Sequence, residues 1–136
     1  GHIFCKERWY GFDDGMYTAA RLLEILTLSG LTMDDALDNQ RALVSSPEIL
    51  IPVADERKFA LVETFAENQK FADATLINID GLRVEFRQGW GLIRASNTGP
   101  AITLRFEADS EASLARIQND FKDLLLRIDP TLADSL

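Results

Sequence analysis

The 136 residues are 46% hydrophobic, 26% charged and 9% aromatic, enough apolar content to build a core and too much for a disordered chain. Fourteen Lys and Arg stand against 22 Asp and Glu, a net charge of −8, which repels phosphate backbones overall and argues against a nucleic-acid partner. One cysteine, Cys5, excludes an internal disulfide framework and a multi-cysteine zinc site and fits a reducing compartment, and no apolar run approaches the ~18 residues of a membrane helix or reads as a signal peptide.

The chain opens Gly-His-Ile-Phe-Cys-Lys without a Met, and residues 3–9 read as a strand, as though something preceded them. Gly11, Asp13, Asp14 and Gly15 form a turn into a helix. There Met16, Ala19, Ala20, Leu23 and Leu26 keep amphipathic spacing, and Gly30 occupies the C-cap position. Thr32-Met-Asp-Asp35 looks like a capping box opening a second helix to about Leu43. Ser45-Ser46-Pro47 then breaks the periodicity, and a domain boundary is placed there, dividing the chain into 1–46 and 47–136.

Residues 48–53 read as a short strand whose Pro52 suggests a sheet edge. Asp55 is the expected N-cap of a helix with Phe59, Val62, Phe65 and Ala66 on one face. Strands are predicted near 75–79, 82–87 and 90–95. Asp80-Gly81 gives a strong two-residue hairpin signal and Gln88-Gly89 a weaker one. Leu82, Val84 and Phe86 alternate with Arg83, Glu85 and Arg87, so one face of that strand is core and the other wet. A further strand runs 101–107 with Ile102, Leu104 and Phe106 inward. The last helix follows Asp109, carries Leu114, Ile117, Phe121, Leu124 and Leu125, and stops before Asp129-Pro130. Residues 47–136 thus read as an α+β fold, a small antiparallel sheet with helices on one face.

The distribution of charge says more than its total. Residues 81–105 hold Arg83, Arg87, Arg94 and Arg105 against Glu85, a local charge of +3, and the other 111 residues carry −11. A positive patch on a negative body suits one small anion better than a polyanion. At its centre lies Arg94-Ala-Ser-Asn-Thr-Gly-Pro100. The arginine fork matches phosphate oxygens, Ser96, Asn97 and Thr98 add donors, and Gly99 permits close backbone approach. The same composition also describes an ordinary polar turn. His2, the only histidine, reads from its position as a solvated residue. Lys6 and Arg8 share one strand face, and Asp13 and Asp14 read as helix caps sooner than as a metal pair. No Ser-His-Asp set, Walker loop or acidic cluster with metal-ligand spacing is present in the sequence.

Gly1 to Gly15, Gly-His-Ile-Phe-Cys-Lys-Glu-Arg-Trp-Tyr-Gly-Phe-Asp-Asp-Gly, resembles a stretch of the α-D-phosphohexomutases, and Arg94-Ala-Ser-Asn-Thr-Gly-Pro100 resembles the phosphate-binding loop of their C-terminal domain. Gly-Trp-Gly-Leu-Ile-Arg-Ala-Ser-Asn and Leu-Arg-Phe-Glu-Ala are further anchors, and the bacterial phosphomannomutase/phosphoglucomutase branch is the nearest in pattern. The resemblance implies a four-domain enzyme that interconverts hexose 1-phosphate and hexose 6-phosphate through a phosphoserine and a hexose 1,6-bisphosphate, with Mg2+ held by an acidic loop of the second domain. It implies that residues 1–46 end the third, sugar-binding α/β domain. Residues 47–136 would form the fourth, a TATA-box-binding-protein-like domain that binds the non-reacting phosphate and closes the cleft.

On that mapping Gly1-His2 end the sugar loop, with His2 a catalytic candidate near the sugar. Arg94, Ser96, Asn97, Thr98 and Gly99 form the phosphate clamp, and no metal ligand lies on this chain. Gly99 departs from a frequent Thr and Cys5 from a frequent Phe. The expectation is a C-terminal fragment, inactive by itself and cytoplasmic, partnered by a phosphosugar and its own N-terminal domains, with no nucleic acid or membrane. The competing reading is a stand-alone anion-binding or protein-interaction module.

Overall fold

The computed structural model describes residues 2–38 and 42–135 and forms two compact units, residues 1–41 and 42–136. In the first unit, α1 (Gly15–Ser29) starts at Asp14, whose carboxylate accepts from the Tyr17 N–H at 3.0 Å. It ends at Gly30, left-handed at φ 68°, whose N–H donates to Leu26, as a glycine C-cap requires. The capping box opening α2 (Met33–Asp38) is reciprocal: the Asp35 N–H donates to Thr32 Oγ1 and the Thr32 N–H to Asp35 Oδ2, both at 3.1 Å. The expected continuation to Leu43 falls partly on residues 39–41, outside those described; Ala42 and Leu43 are not helical. No side chain of α1 is buried in this unit. The strand expected over residues 3–9 is reduced to one bridge, Phe4 with Asp13, because no second described strand in this unit offers a ladder to pair with.

The second unit follows the α+β reading. Its order is β1 (Val44–Ser45), β2 (Ile49–Pro52), α3 (Asp55–Asn68), β3 (Thr75–Ile77), β4 (Leu82–Phe86), β5 (Gly89–Ala95), β6 (Ala101–Ala108) and α4 (Glu111–Ile128), then a 3₁₀ turn at Pro130–Ser135. The strands form one antiparallel sheet ordered β1-β6-β5-β4-β3, with β2 also pairing β6. The Ser45–Pro47 interruption therefore lies inside this unit: Val44 and Ser45 pair with Ala108 and Glu107, and Ile49 to Pro52 with Leu104 to Ala101. Buried Ser46 bridges the break, its N–H donating to Phe106 and its hydroxyl accepting the Phe106 N–H at 3.0 Å.

Both helices pack on the sheet face formed by Leu82, Val84, Ile93, Ile102, Leu104 and Phe106. The five α4 positions expected from the spacing are its five buried ones. Its N-cap is Ser110, which accepts from the Ser113 N–H at 3.3 Å. The α3 face is turned by one residue from expectation. Lys58, Leu61, Val62 and Phe65 are buried and Phe59 is 60% exposed, because a lysine with an aliphatic stem and a satisfied head takes a core-facing position that apolar counting hides. Asp55 is the first helical residue and not the cap; Ala54 holds the N-cap position, and the Asp55 carboxylate pairs with Lys58 at 2.7 Å.

The hairpins also differ from expectation. Phe86 pairs with Gly89, so the two-residue turn is Arg87-Gln88, whereas Asp80-Gly81 sits in a longer connection spanning residues 78–81. Gly81 is needed for another reason: its φ is +93°, and a Cβ there would lie 2.2 Å from the Ile93 carbonyl oxygen and 2.8 Å from the Arg94 Cα.

Asp129 fastens the end of α4. Its carboxylate accepts from the Thr131 hydroxyl and N–H and from Arg57 of α3, the last at 2.5 Å. The Thr131 hydroxyl foremost holds its carboxyl below the ordinary value, against the opposing effect of burial. A depressed folded pKa gives stability that is present above the unfolded value of about 3.9 and is lost as pH falls through the folded one. Asp129→Asn is expected to cost about 1–3 kcal/mol at pH 7 and to flatten the acid limb of the stability curve below about pH 4. Urea denaturation at several pH values measures both; an unchanged acid limb would remove Asp129 as its source.

Candidate functional site

The loop expected to be a clamp joins β5 to β6. Its base is tied by the Ser96 N–H donating to Ala101 O and the Ala101 N–H to Gly99 O, both at 2.9 Å, and by the Val53 N–H donating to Pro100 O at 3.0 Å. At its tip the Thr98 N–H donates to Ser96 Oγ at 3.3 Å, and the Ser96 and Thr98 hydroxyls are 3.4 Å apart. Asn97 and Thr98 are exposed, Ser96 and Gly99 half-buried. Gly99 has no left-handed φ, and a Cβ there would meet nothing within 4 Å. Its lack of a side chain is therefore not required by the loop, and the close backbone approach expected of it has no counterpart within this chain.

Arg94 sits one residue before the buried Ala95, on the sheet face opposite the helices. Its guanidinium reaches Asp80 of the β3–β4 connection at 3.4 Å, with both side chains well exposed. An exposed pair at that distance is weak and can exchange its carboxylate for another anion. The four arginines of the charged window are not one patch. Arg94 pairs with Thr103 near the loop, while Arg83, Leu92 and Arg105 form a cross-strand row farther along the sheet. Arg87 is in the turn at the opposite end of β5, about 20 Å away by strand rise. Arg83 lies over the Trp90 ring, 3.9 Å from its centroid, and bonds Glu85; Trp90 donates to Glu107. Alternation put Arg83 on the wet face of its strand, as the structure has it, but of the four arginines Arg94 is the one that stands at the loop.

Sequence reasoning missed Lys58. It is 6% exposed, and its ammonium donates to the Ser96 carbonyl at 2.6 Å, to the Gly99 carbonyl at 3.0 Å and to Asp55. The loop is thus held from the helix side by one buried cation while Arg94 borders it from the other face. The available signal was the 58, 61, 62, 65 spacing with a lysine in an otherwise apolar stripe.

Beside the loop is a cavity of about 510 Å³ lined in part by Phe59, Glu63, Glu67, Asp80 and Ala95. Its three carboxylates repel an anion.

In the first unit, His2 Nδ1 bonds Asp13 Oδ2 at 2.5 Å, and the other Asp13 oxygen accepts the Ile3 N–H at 3.2 Å. The imidazole bond, foremost, holds the Asp13 carboxyl below its ordinary value. Asp14 is the helix cap expected, but Asp13 instead orients His2, a role the spacing did not reveal. Gly1 lies outside the described residues. Among the described residues no three His, Cys, Asp or Glu side chains converge to hold a cation. No described helix is long and apolar enough to cross a membrane.

Residues 48–124 match the family model described as phosphoglucomutase/phosphomannomutase, C-terminal domain. A phosphomannomutase/phosphoglucomutase of Pseudomonas putida is 51% identical over 132 residues, covering 97% of this chain and 28% of the relative. A phosphoglucomutase of Neisseria gonorrhoeae is 50% identical over 127 residues, covering 92% of this chain and 27% of the relative. The crystal structure of a phosphoglucomutase/phosphomannomutase family protein from Burkholderia thailandensis superposes with a TM-score of 0.81 at 47% identity, over 96% of this chain and 27% of that one. The chain thus spans little more than a quarter of the length of these relatives. With a family model matched over more than half of its residues, and the α+β sheet that carries the donor loop reproduced in a solved relative, the chain belongs to the phosphoglucomutase/phosphomannomutase family, in the part described as the C-terminal domain.

Proposed function

We propose that this chain is the phosphate-anchoring portion of a phosphohexomutase that interconverts hexose 1-phosphate and hexose 6-phosphate through a phosphoserine and a hexose 1,6-bisphosphate. The observation that carries the reading is the β5–β6 loop, which offers Arg94, Ser96, Asn97 and Thr98 at the end of one hairpin, with Asn97 making no bond of its own among the described residues. Such donors suit three phosphate oxygens. The loop would hold the phosphate that is not reacting, so that remote binding energy orients the reacting end. Gly99 contributes backbone only, one hydroxyl fewer than a Thr would.

The expected division at residues 46 and 47 would shift to where the two units part: residues 1–41 would end the sugar-binding domain, with His2 held by Asp13 to meet the sugar, and residues 42–136, which include the β1 pairing with β6, would be the domain that moves in to exclude water from the phosphoenzyme. Magnesium, the phosphoserine and the discriminating sugar contacts would come from other domains of the same polypeptide. These residues alone would therefore not turn over substrate. A cytoplasmic location follows from phosphosugar chemistry in a cysteine-poor chain.

Titration of the chain with millimolar α-D-glucose 1-phosphate, followed by amide NMR, tests the anchoring. Shifts concentrated at residues 94–99, absent with glucose, are expected. Shifts elsewhere with none in this loop would refute it.

A further inference from the structure

We infer that Lys58 is a positioning residue of the anion loop: its buried ammonium fixes the loop in the form that presents donors outward. The inference rests on the anchoring reading above and adds a residue outside the loop to it. Lysine has three N–H donors, and here all are used, on Ser96 O, Gly99 O and the Asp55 carboxylate. None is left for a ligand, so Lys58 acts through the loop and not by touching the anion.

The consequence for the loop follows from peptide geometry. The described peptide bonds include no cis form, and in a trans peptide the C=O and the next N–H point in opposite directions. Drawing the Ser96 carbonyl toward Lys58 therefore turns the Asn97 N–H away from the ammonium, on the loop's outer side. That N–H makes no bond among the described residues, and Asn97 is exposed. The Gly99 carbonyl is drawn the same way, which fixes both ends of the Asn97–Thr98 tip. The ammonium also leaves a positive charge directly behind the loop, balanced by an Asp55 carboxylate whose side chain is 64% exposed and so more screened than the cation it faces. A structural lysine could sit anywhere along α3. This one meets, besides Asp55, the two carbonyls that set the orientation of the tip.

The test compares inorganic phosphate titrations of wild type, Lys58→Met, Lys58→Arg and Val62→Ala, read at the amides of residues 94–99. Lys58→Met is expected to weaken phosphate binding about ten-fold or more, the loss of charge-assisted bonds to the loop, while the amides of β6 and α4 keep their positions. Lys58→Arg restores most of the affinity, because a guanidinium can again donate to two carbonyls. Val62→Ala, on the same buried face, lowers stability and leaves the affinity unchanged, which a merely structural Lys58 would match. Met and wild-type chains binding phosphate equally, or Arg failing to recover what Met loses, overturns the role of Lys58. A wild-type loop that ignores phosphate overturns the anchoring reading first, and this role with it. Should the Met variant not fold, the wild-type Lys58 Nζ and the Ser96 and Gly99 carbonyl carbons are followed instead. They shift with phosphate alongside Asn97 if Lys58 positions the loop, and their standing still while Asn97 moves is the contrary result.

Discussion

Phe121→Ala lowers the stability of the second unit by about 3–5 kcal/mol, a large share of the ~5–15 kcal/mol that holds a domain folded. Phe121 is fully buried in α4. Its ring stacks on Phe71, meets Phe106 edge-on and touches Phe65, each centroid 5.2 Å away. It also lies over Gly91: a Cβ there would come within 2.7 Å of the ring. The site is therefore walled by the sheet backbone on one side and by three other rings on the rest. Neither a strand in mid-sheet nor a set of interlocked aromatics collapses readily into the space vacated, so the cavity term adds to the lost transfer free energy. Urea denaturation is expected to show a much lower midpoint with little change in slope. A loss under about 1 kcal/mol would mean that the ring cluster repacks freely and does not tie α4 to the sheet.

Arg94→Ala is the second large effect, and it falls on binding. The guanidinium is a charged donor at the loop, and its present partner, Asp80, is 3.4 Å away and exposed. Moving from that carboxylate to a phosphate costs little and gains a two-pronged bond. Loss of a bond to a charged group weakens sugar-phosphate binding by about ten- to a hundred-fold. In a longer polypeptide that joins this segment to the rest of a mutase, KM rises strongly and kcat falls as well, because an anchor that orients the reacting end acts in the transition state too. Unchanged kinetics would remove the anchoring role. A rise in KM with kcat untouched would reduce it to uniform binding.

Much of this was legible in the sequence because burial repeats with a period. The five apolar positions of α4 and the alternation of Leu82, Val84 and Phe86 each follow one periodicity; the core takes the α4 positions, Leu82 and Val84 fully and Phe86 at its margin, half-buried. Cap chemistry was equally local: Asp14, Gly30 and the Thr32–Asp35 pair act as their types dictate. What stayed hidden depended on contacts far apart in sequence. Lys58 is 38 residues from Ser96 and 41 from Gly99, and only the folded sheet shows why a lysine occupies a core stripe. Asp13 looked like a cap because its bond to His2 crosses a turn. The charged window misled through topology: four arginines near in sequence were distributed by antiparallel strands to the two ends and the middle of the sheet. The Asp80-Gly81 signal was real as a glycine requirement and wrong as a turn length, since the constraint comes from the Ile93 carbonyl across the sheet.

The most direct test of the central claim is a crystal structure of this chain grown with α-D-glucose 1-phosphate. The account predicts the phosphate seated on the β5–β6 loop, within hydrogen-bonding distance of the Arg94 guanidinium, the Ser96 and Thr98 hydroxyls and the Asn97 N–H, with Arg94 turned away from Asp80. A phosphate bound elsewhere on the chain, with Arg94 still on Asp80 and the loop empty, would contradict it.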